Sequence, residues 1–246
     1  MKSKKIIILK SLTLIVLVGA MLIGFYLKNQ ENNKKSLEKT PITIEELKEN
    51  EIRLNGEIVD ITTKNIIEDS GGIVEYLYSN EFEELIKVSD ALVRGRVKSV
   101  SYETLNGAAY AKLEFYIDDV YKGNINVSDT ITIYYRTGYI ELNEHIKYHN
   151  DAKMYSKLSK KKKANTLIKE YYSGETEFVK AGDDLILCLV KTKDDTDILK
   201  DYYQRLYPAG MLKLEGNTYK QKYGDVDEKY SINTDELYVL KELTKK

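Results

Sequence analysis

Two histidines four residues apart, His145 and His149 in the run Glu144-His145-Ile146-Lys147-Tyr148-His149-Asn150-Asp151, are the residues best suited by type and spacing to chemistry. On a helix, positions i and i+4 share a face, and two imidazoles so placed supply two of the ligands a tetrahedral zinc requires. No glutamate follows the first histidine, so the general base of a zinc protease is missing, and the sequence identifies no third ligand. The segment is therefore expected to be an exposed polar insertion without metal; a secreted metal-binding protein or hydrolase using His145 and His149 is the alternative. The single cysteine, Cys188, lies in the apolar run Leu185-Ile186-Leu187-Cys188-Leu189-Val190, where a buried thiol behaves as a small inert hydrophobe. The carboxylate pairs Asp118-Asp119 and Asp183-Asp184 fall at expected strand ends, where solvated turns are the ordinary outcome and an acid/base pair would need a pocket. With no Gly-x-Ser-x-Gly elbow and no phosphate-cradling glycine loop, neither catalytic residues nor a cofactor are expected.

The strongest charge feature is Lys157-Leu158-Ser159-Lys160-Lys161-Lys162-Lys163. Its meaning depends on where the protein works. Ile6 to Leu27 is apolar apart from Lys10, Ser11, Thr13 and two glycines, and Lys2, Lys4 and Lys5 precede it. A membrane core about 30 Å thick needs about 20 apolar residues in a helix, and the basic N-terminal flank favours a cytoplasmic N-terminus. Residues 1–27 are thus expected to be a cytoplasmic N-terminus and a single-pass transmembrane anchor, with everything beyond at the cell surface. If the segment is instead cleaved as a signal peptide, the product is secreted, but its small residues sit among Met21, Leu22, Ile23, Phe25 and Tyr26, which makes a poor cleavage site. Lipid attachment would need a cysteine at the end of this run. Export removes nucleic acid as a partner and leaves Lys160, Lys161, Lys162 and Lys163 as a polyanion contact, toward a cell-wall polymer or lipid head groups, or as a solvated face. Without Lys2, Lys4, Lys5 and Lys10 the chain keeps 34 basic against 39 acidic residues, about −5, so it has no general attraction to polyanions. A lone cysteine allows no internal disulfide, so the fold must rest on its core.

Residues 28–40 are polar with almost nothing to bury and read as a flexible stalk. From 41 onward an extracytoplasmic domain is expected. Pro41 to Lys48 could open with a short helix capped by Thr43 and Glu46. A hairpin arm turns at Asn55-Gly56, a loop follows at Asp69-Ser70-Gly71-Gly72, and a helical turn spans Asn80 to Lys87. Ser89 to Val100 alternates as a half-buried strand, with Arg94, Arg96 and Lys98 on the wet face and Gly95 marking a bulge or bend. Those three residues would form an aromatic-basic surface with Tyr134 and Arg136 if the two strands adjoin. Tyr110 to Tyr121 and Thr130 to Arg136 follow as strands. Asp184 to Lys191, apolar on both faces, is central. Tyr202 to Tyr207 and a hairpin turning at Gly216-Asn217 complete the set, and Asn233 to Leu243 reads as a C-terminal helix whose Leu237, Leu240 and Leu243 pack on the sheet.

The pattern predicts a mainly β fold, a five-stranded OB-like barrel with short flanking helices, its core at about 82–221 and its closing helix at about 234–244. Ser89-Asp90-Ala91-Leu92-Val93-Arg94-Gly95-Arg96-Val97, then Val120-Tyr121-Lys122-Gly123, then Ala181-Gly182-Asp183-Asp184-Leu185-Ile186-Leu187 resemble a skeleton found in surface proteins of Gram-positive bacteria. That skeleton is similar to the netrin-like barrels of the tissue inhibitors of metalloproteinases. The resemblance implies a fold far more than a function. A protease-inhibitor-like netrin domain is a further alternative, although those inhibitors act through an N-terminal cysteine and disulfides, which this chain lacks. The expected function is a membrane-anchored, non-catalytic interaction module whose partner is a surface protein or cell-wall polymer.

Overall fold

A computed structural model describes residues 41–69, 81–171, 177–191, 203–205, 208–221 and 229–245. The chain divides into two compact units, Met1–Thr40 and Pro41–Lys246, and only the second carries described residues. The expected anchor and stalk lie outside them, as does the loop beyond Asp69. Among the described residues, no helix is long and apolar enough to cross a membrane.

The second unit is mainly β. In chain order it contains β1 (Glu51–Leu54), β2 (Glu57–Asp60), β3 (Asn65–Asp69), α1 (Phe82–Val88), β4 (Ala91–Leu105), β5 (Ala108–Lys122), β6 (Thr130–Tyr135) and β7 (Gly138–Glu141). Then come α2 (Leu142–His149), α3 (Lys160–Ala164), β8 (Thr166–Glu170), β9 (Asp184–Lys191), β10 (Tyr203–Arg205), β11 (Met211–Glu215), β12 (Thr218–Gln221), β13 (Ser231–Asn233) and α4 (Tyr238–Leu243). Among the described residues, ten strands form one sheet in the order β13-β12-β11-β9-β10-β6-β5-β4-β1-β2, with an additional β9–β4 pairing, and β3-β8-β7 form a second.

The mainly β expectation holds, but the main sheet has more than the five strands expected and is open rather than a closed barrel. The hairpin β1–β2 docks on the sheet through Leu54 opposite Tyr102, β11 to β13 extend the other end, and among the described residues β2 and β13 are the sheet's outer strands. The stretch expected as a polar insertion instead supplies β7, α2, α3 and β8, with β8 parallel to β3 over Asn65–Asp69. Parallel pairing of segments a hundred residues apart leaves no local sequence signal. The expected helix at Thr43 is absent. Residues 41–48 run without helix, tied to β4 by the Glu45 amide donating to the Lys98 carbonyl at 2.8 Å.

β4 is the spine. Its inward residues Ala91, Val93 and Val97 join Phe115, Ile117, Ile133, Leu185, Leu187 and Met211 in the main core. Its opposite face was expected to be wet but is covered by α1, β11 to β13 and α4: Leu92 joins Phe82, Leu85, Ile186, Cys188, Tyr219 and Leu240 in a second core. The half-buried strand is therefore buried on both faces from Ala91 to Val97. The bulge expected at Gly95 is present, since the β4–β5 register shifts between Arg94 and Gly95. A Cβ there would sit 2.0 Å from the Tyr116 carbonyl oxygen, so only glycine fits.

Ser89, Asp90, Lys122 and Gly123 join elements of the fold. Ser89 Oγ donates to the Ile86 carbonyl at 2.8 Å and Lys122 Nζ donates to the Ile86 and Lys87 carbonyls at 2.8 and 3.0 Å, together closing the C-terminus of α1. The Asp90 carboxylate accepts from the Lys191 amide at 2.8 Å. Gly123, at φ +97°, lets the end of β5 approach Ala91. α4 begins later than expected, at Tyr238, while its N-cap residue Leu237 and its Leu240 are buried in the second core.

Candidate binding cleft

After a further register shift between Val97 and Ser99, the third along this ladder, β4 continues toward β1 and the smaller sheet. There Tyr102 packs against β7. Gly138, at φ +125°, makes this possible, because a Cβ would lie 2.2 Å from the Tyr102 ring. Tyr139 then meets Tyr102 edge to face with centroids 5.2 Å apart, and Phe178 closes the cluster at 5.8 Å from Tyr102 and 5.6 Å from Tyr139. Lys169 lies opposite Tyr139 in the β7–β8 ladder. Its ammonium rests 4.6 Å from the Tyr171 ring centre and 5.1 Å from that of Phe178, within cation–π range.

Tyr102, Tyr139, Lys169 and Phe178 line a cleft of about 770 Å³. Ile52, Ile61 and Val100 contribute apolar surface, and the segment from Ile44 to Glu49 forms the facing wall. That wall is held by the Arg53 guanidinium, whose Nε donates to Glu45 Oε1 at 3.1 Å, and by the Lys48–Glu51 pair at 2.8 Å. Glu46, Glu49, Glu177 and Lys180 give the lining its remaining charge. Burial opposes the Lys169 charge, but the Tyr171 hydroxyl and the neighbouring Tyr139, Tyr171 and Glu68 outweigh it and raise its pKa, so it stays cationic. Burial raises the Tyr139 hydroxyl, which therefore stays protonated. The cleft's size is that of a small-ligand site, and its lining sets the aromatic and aliphatic groups beside eight charged residues, five glutamates and three lysines.

The sequence-derived candidates fall elsewhere. α2 does bring the two histidine rings to 4.5 Å, as the i, i+4 spacing implies. The expected exposure of His145 is corrected: it is buried beside a small core of Ala109, Ile140, Leu142 and Ile168, with Tyr155 and Leu158 folded over that core. Its Nε2 and Nδ1 lie 3.6 Å from carboxylate oxygens of Asp151 and Glu170, and His149 Nε2 is 3.1 Å from the Gly107 carbonyl oxygen. Among the described residues, no three or more His, Cys, Asp or Glu side chains are placed to hold a metal. Cys188 is fully buried and burial raises its thiol pKa steeply, so the thiolate does not form at neutral pH.

The expected aromatic-basic surface does not form. β5 separates β4 from β6, and Arg94 and Arg96 turn into the protein. Arg94 Nε donates to Asp119 Oδ2 at 2.7 Å, while Arg96 grips Asp118 with two bonds of 2.8 and 2.7 Å. Asp118 and Asp119 are thus paired inside β5 rather than solvated, and Asp184, at the start of β9, accepts from the Tyr219 hydroxyl at 2.6 Å. Burial opposes the Arg94 charge, but Asp119 and Tyr219 more than compensate and its pKa is raised. Lys160 to Lys163 form α3, capped by Ser159 Oγ accepting from the Lys162 amide at 3.2 Å.

Sequence reasoning missed the cleft. Tyr102, Tyr139, Lys169 and Phe178 come from four separate segments, and no spacing links them. The one local clue is Gly138 preceding Tyr139. No family model, curated protein or solved structure matches the chain.

Proposed function

We propose that this protein is a membrane-anchored, extracytoplasmic, non-catalytic binding module, built on an OB-type barrel and holding its ligand in the cleft between Tyr102, Tyr139, Phe178 and the Ile44–Glu49 wall. The cleft is the observation that carries the reading. Support for the barrel comes from ladders joining β4 to β5, β5 to β6, β6 to β10, β10 to β9 and β9 back to β4, with β6 and β10 parallel. β10 and β11 pair with successive stretches of β9, and β11 leads into the extension β12–β13. Support for export comes from the apolar run before Lys28, as argued from the sequence. The residues best suited to catalysis are engaged otherwise: Asp118 and Asp119 by arginines, Asp183 by Lys213, Asp184 by Tyr219, His149 at a backbone carbonyl and Cys188 in a core.

A photoreactive residue at Glu46, on the exposed rim, tests the reading in intact cells. The expected result is a discrete cross-linked adduct that disappears in Phe178→Ala. Absence of any adduct, or one indifferent to Phe178→Ala, overturns the cleft.

A further inference from the structure

We infer that the surface around α3 is a contact for an anionic lipid surface, seating the domain against a membrane. From Ala152 to Lys169 the sequence contains no acidic residue and seven lysines, at 153, 157, 160, 161, 162, 163 and 169. Apart from Lys169 in the cleft, only Lys163 is partly buried, and Lys153, Lys157 and Lys160 to Lys162 are exposed. Among the described residues, none of the lysines from 153 to 163 is in an ion pair, whereas Lys87, Lys112, Lys147, Lys213, Lys220 and Lys245 each are. A chain of overall negative charge has therefore gathered unneutralised positive charge in one place, and that favours an anionic partner.

The lysines are presented by a fixed turn. Ser159 caps its start, Thr166 Oγ1 donates to the Lys162 carbonyl at 2.7 Å, and Asn165 Nδ2 donates to the Thr63 carbonyl at 2.9 Å, pinning it beside β3. A purely solvated basic face would surround itself with polar groups. Here Met154, 75% exposed, stands among the lysines, and Tyr148, 51% exposed, projects from α2, which packs against α3. Exposed apolar side chains amid lysines are the composition of an interfacial contact, in which the cations meet head-group phosphates and the apolar groups enter the acyl boundary. A soluble polyphosphate would use the lysines and gain nothing from Met154. The proposed anchor gives the contact its opportunity, because a domain tethered to a bilayer meets its head groups at a high effective concentration.

This inference rests on the anchored reading but not on the cleft, and the test separates the two. The full chain carrying Ser156→Cys is labelled with a fluorophore there, Cys188 being fully buried, and is reconstituted into vesicles containing head-group nitroxide lipid. Carbonate resistance reports the anchor, and quenching reports the contact. The expected result is quenching several-fold stronger in anionic than in zwitterionic vesicles, lost at high salt, lost when Lys160, Lys161, Lys162 and Lys163 are all replaced by Gln, and reduced by Met154→Ser. Equal quenching in the two lipids, or no dependence on Met154, overturns the lipid contact even when the chain is anchored. Loss to carbonate with selective quenching intact overturns only the anchor.

Discussion

Two groups of basic residues in this molecule have opposite fates. Arg94 and Arg96 are 2% and 8% exposed and each is matched to a carboxylate on the adjacent strand β5. Lys160 to Lys163 stand on a short turn with no ion pair among the described residues. Buried charges must be matched, because desolvation exceeds what one unpaired charge can recover, and even matched pairs add little over an apolar substitute. Their role is to fix the alignment of β4 and β5 where two cores meet across β4. Exposed charges carry no such obligation, so an unmatched cluster tells more about a partner than about the fold. The positive charge that looked like a binding surface on β4 is structural, and the run that looked like a solvated helix is the one left available.

The contrast breaks first at Arg94. Arg94→Met leaves the Asp119 carboxylate half-enclosed without a partner and is expected to cost about 3–5 kcal/mol in urea unfolding. Arg94→Met with Asp119→Leu should recover much of that loss, and a double mutant as unstable as the sum of the singles would refute the pairing. Next is Lys122→Met, which removes two charge-assisted bonds to the end of α1 and should cost about 1.5–3 kcal/mol, read by the same denaturation. Tyr134 is an intermediate case: its hydroxyl donates to Glu103 Oε2 at 3.0 Å, and burial, then Glu103, push its pKa up to about 12 from the ordinary 10.0. A folded pKa above the unfolded one gives stability that is complete below pH 10.0 and lost as the pH rises to about 12. Tyr134→Phe should therefore lower stability by about 1 kcal/mol at neutral pH and flatten the alkaline stability profile. Replacing Lys160, Lys161, Lys162 and Lys163 by Gln should change stability by no more than about 0.5 kcal/mol.

Legibility in the sequence followed the range of the interactions. The hairpin at Asn55-Gly56, the bulge at Gly95, the central strand around Cys188 and the turn at Gly216-Asn217 all declare themselves within a dozen residues, and all are present. The faces of β4 were misjudged because alternation reports polarity, and Arg94 and Arg96 are polar yet buried by partners twenty-five and twenty-two residues away. The second sheet was missed because β3 and β8 pair in parallel across a hundred residues. The cleft depends on both of these long-range facts: Tyr102 rides on the far half of β4, while Tyr139 and Lys169 ride on the unforeseen sheet. Its residues could not be singled out until those strands were placed.

Occupancy of the cleft in the living cell is the central claim, and footprinting with a membrane-impermeant amine reagent reads it most directly. Intact cells and purified chain are labelled side by side, with the exposed Lys220, its side chain 52% accessible, as the reference. The account predicts that Lys220 labels in both samples while Lys169 is shielded in cells relative to the purified chain. Equal labelling of Lys169 in the two would contradict a ligand-filled cleft, and failure of Lys220 to label in cells would contradict display at the cell surface.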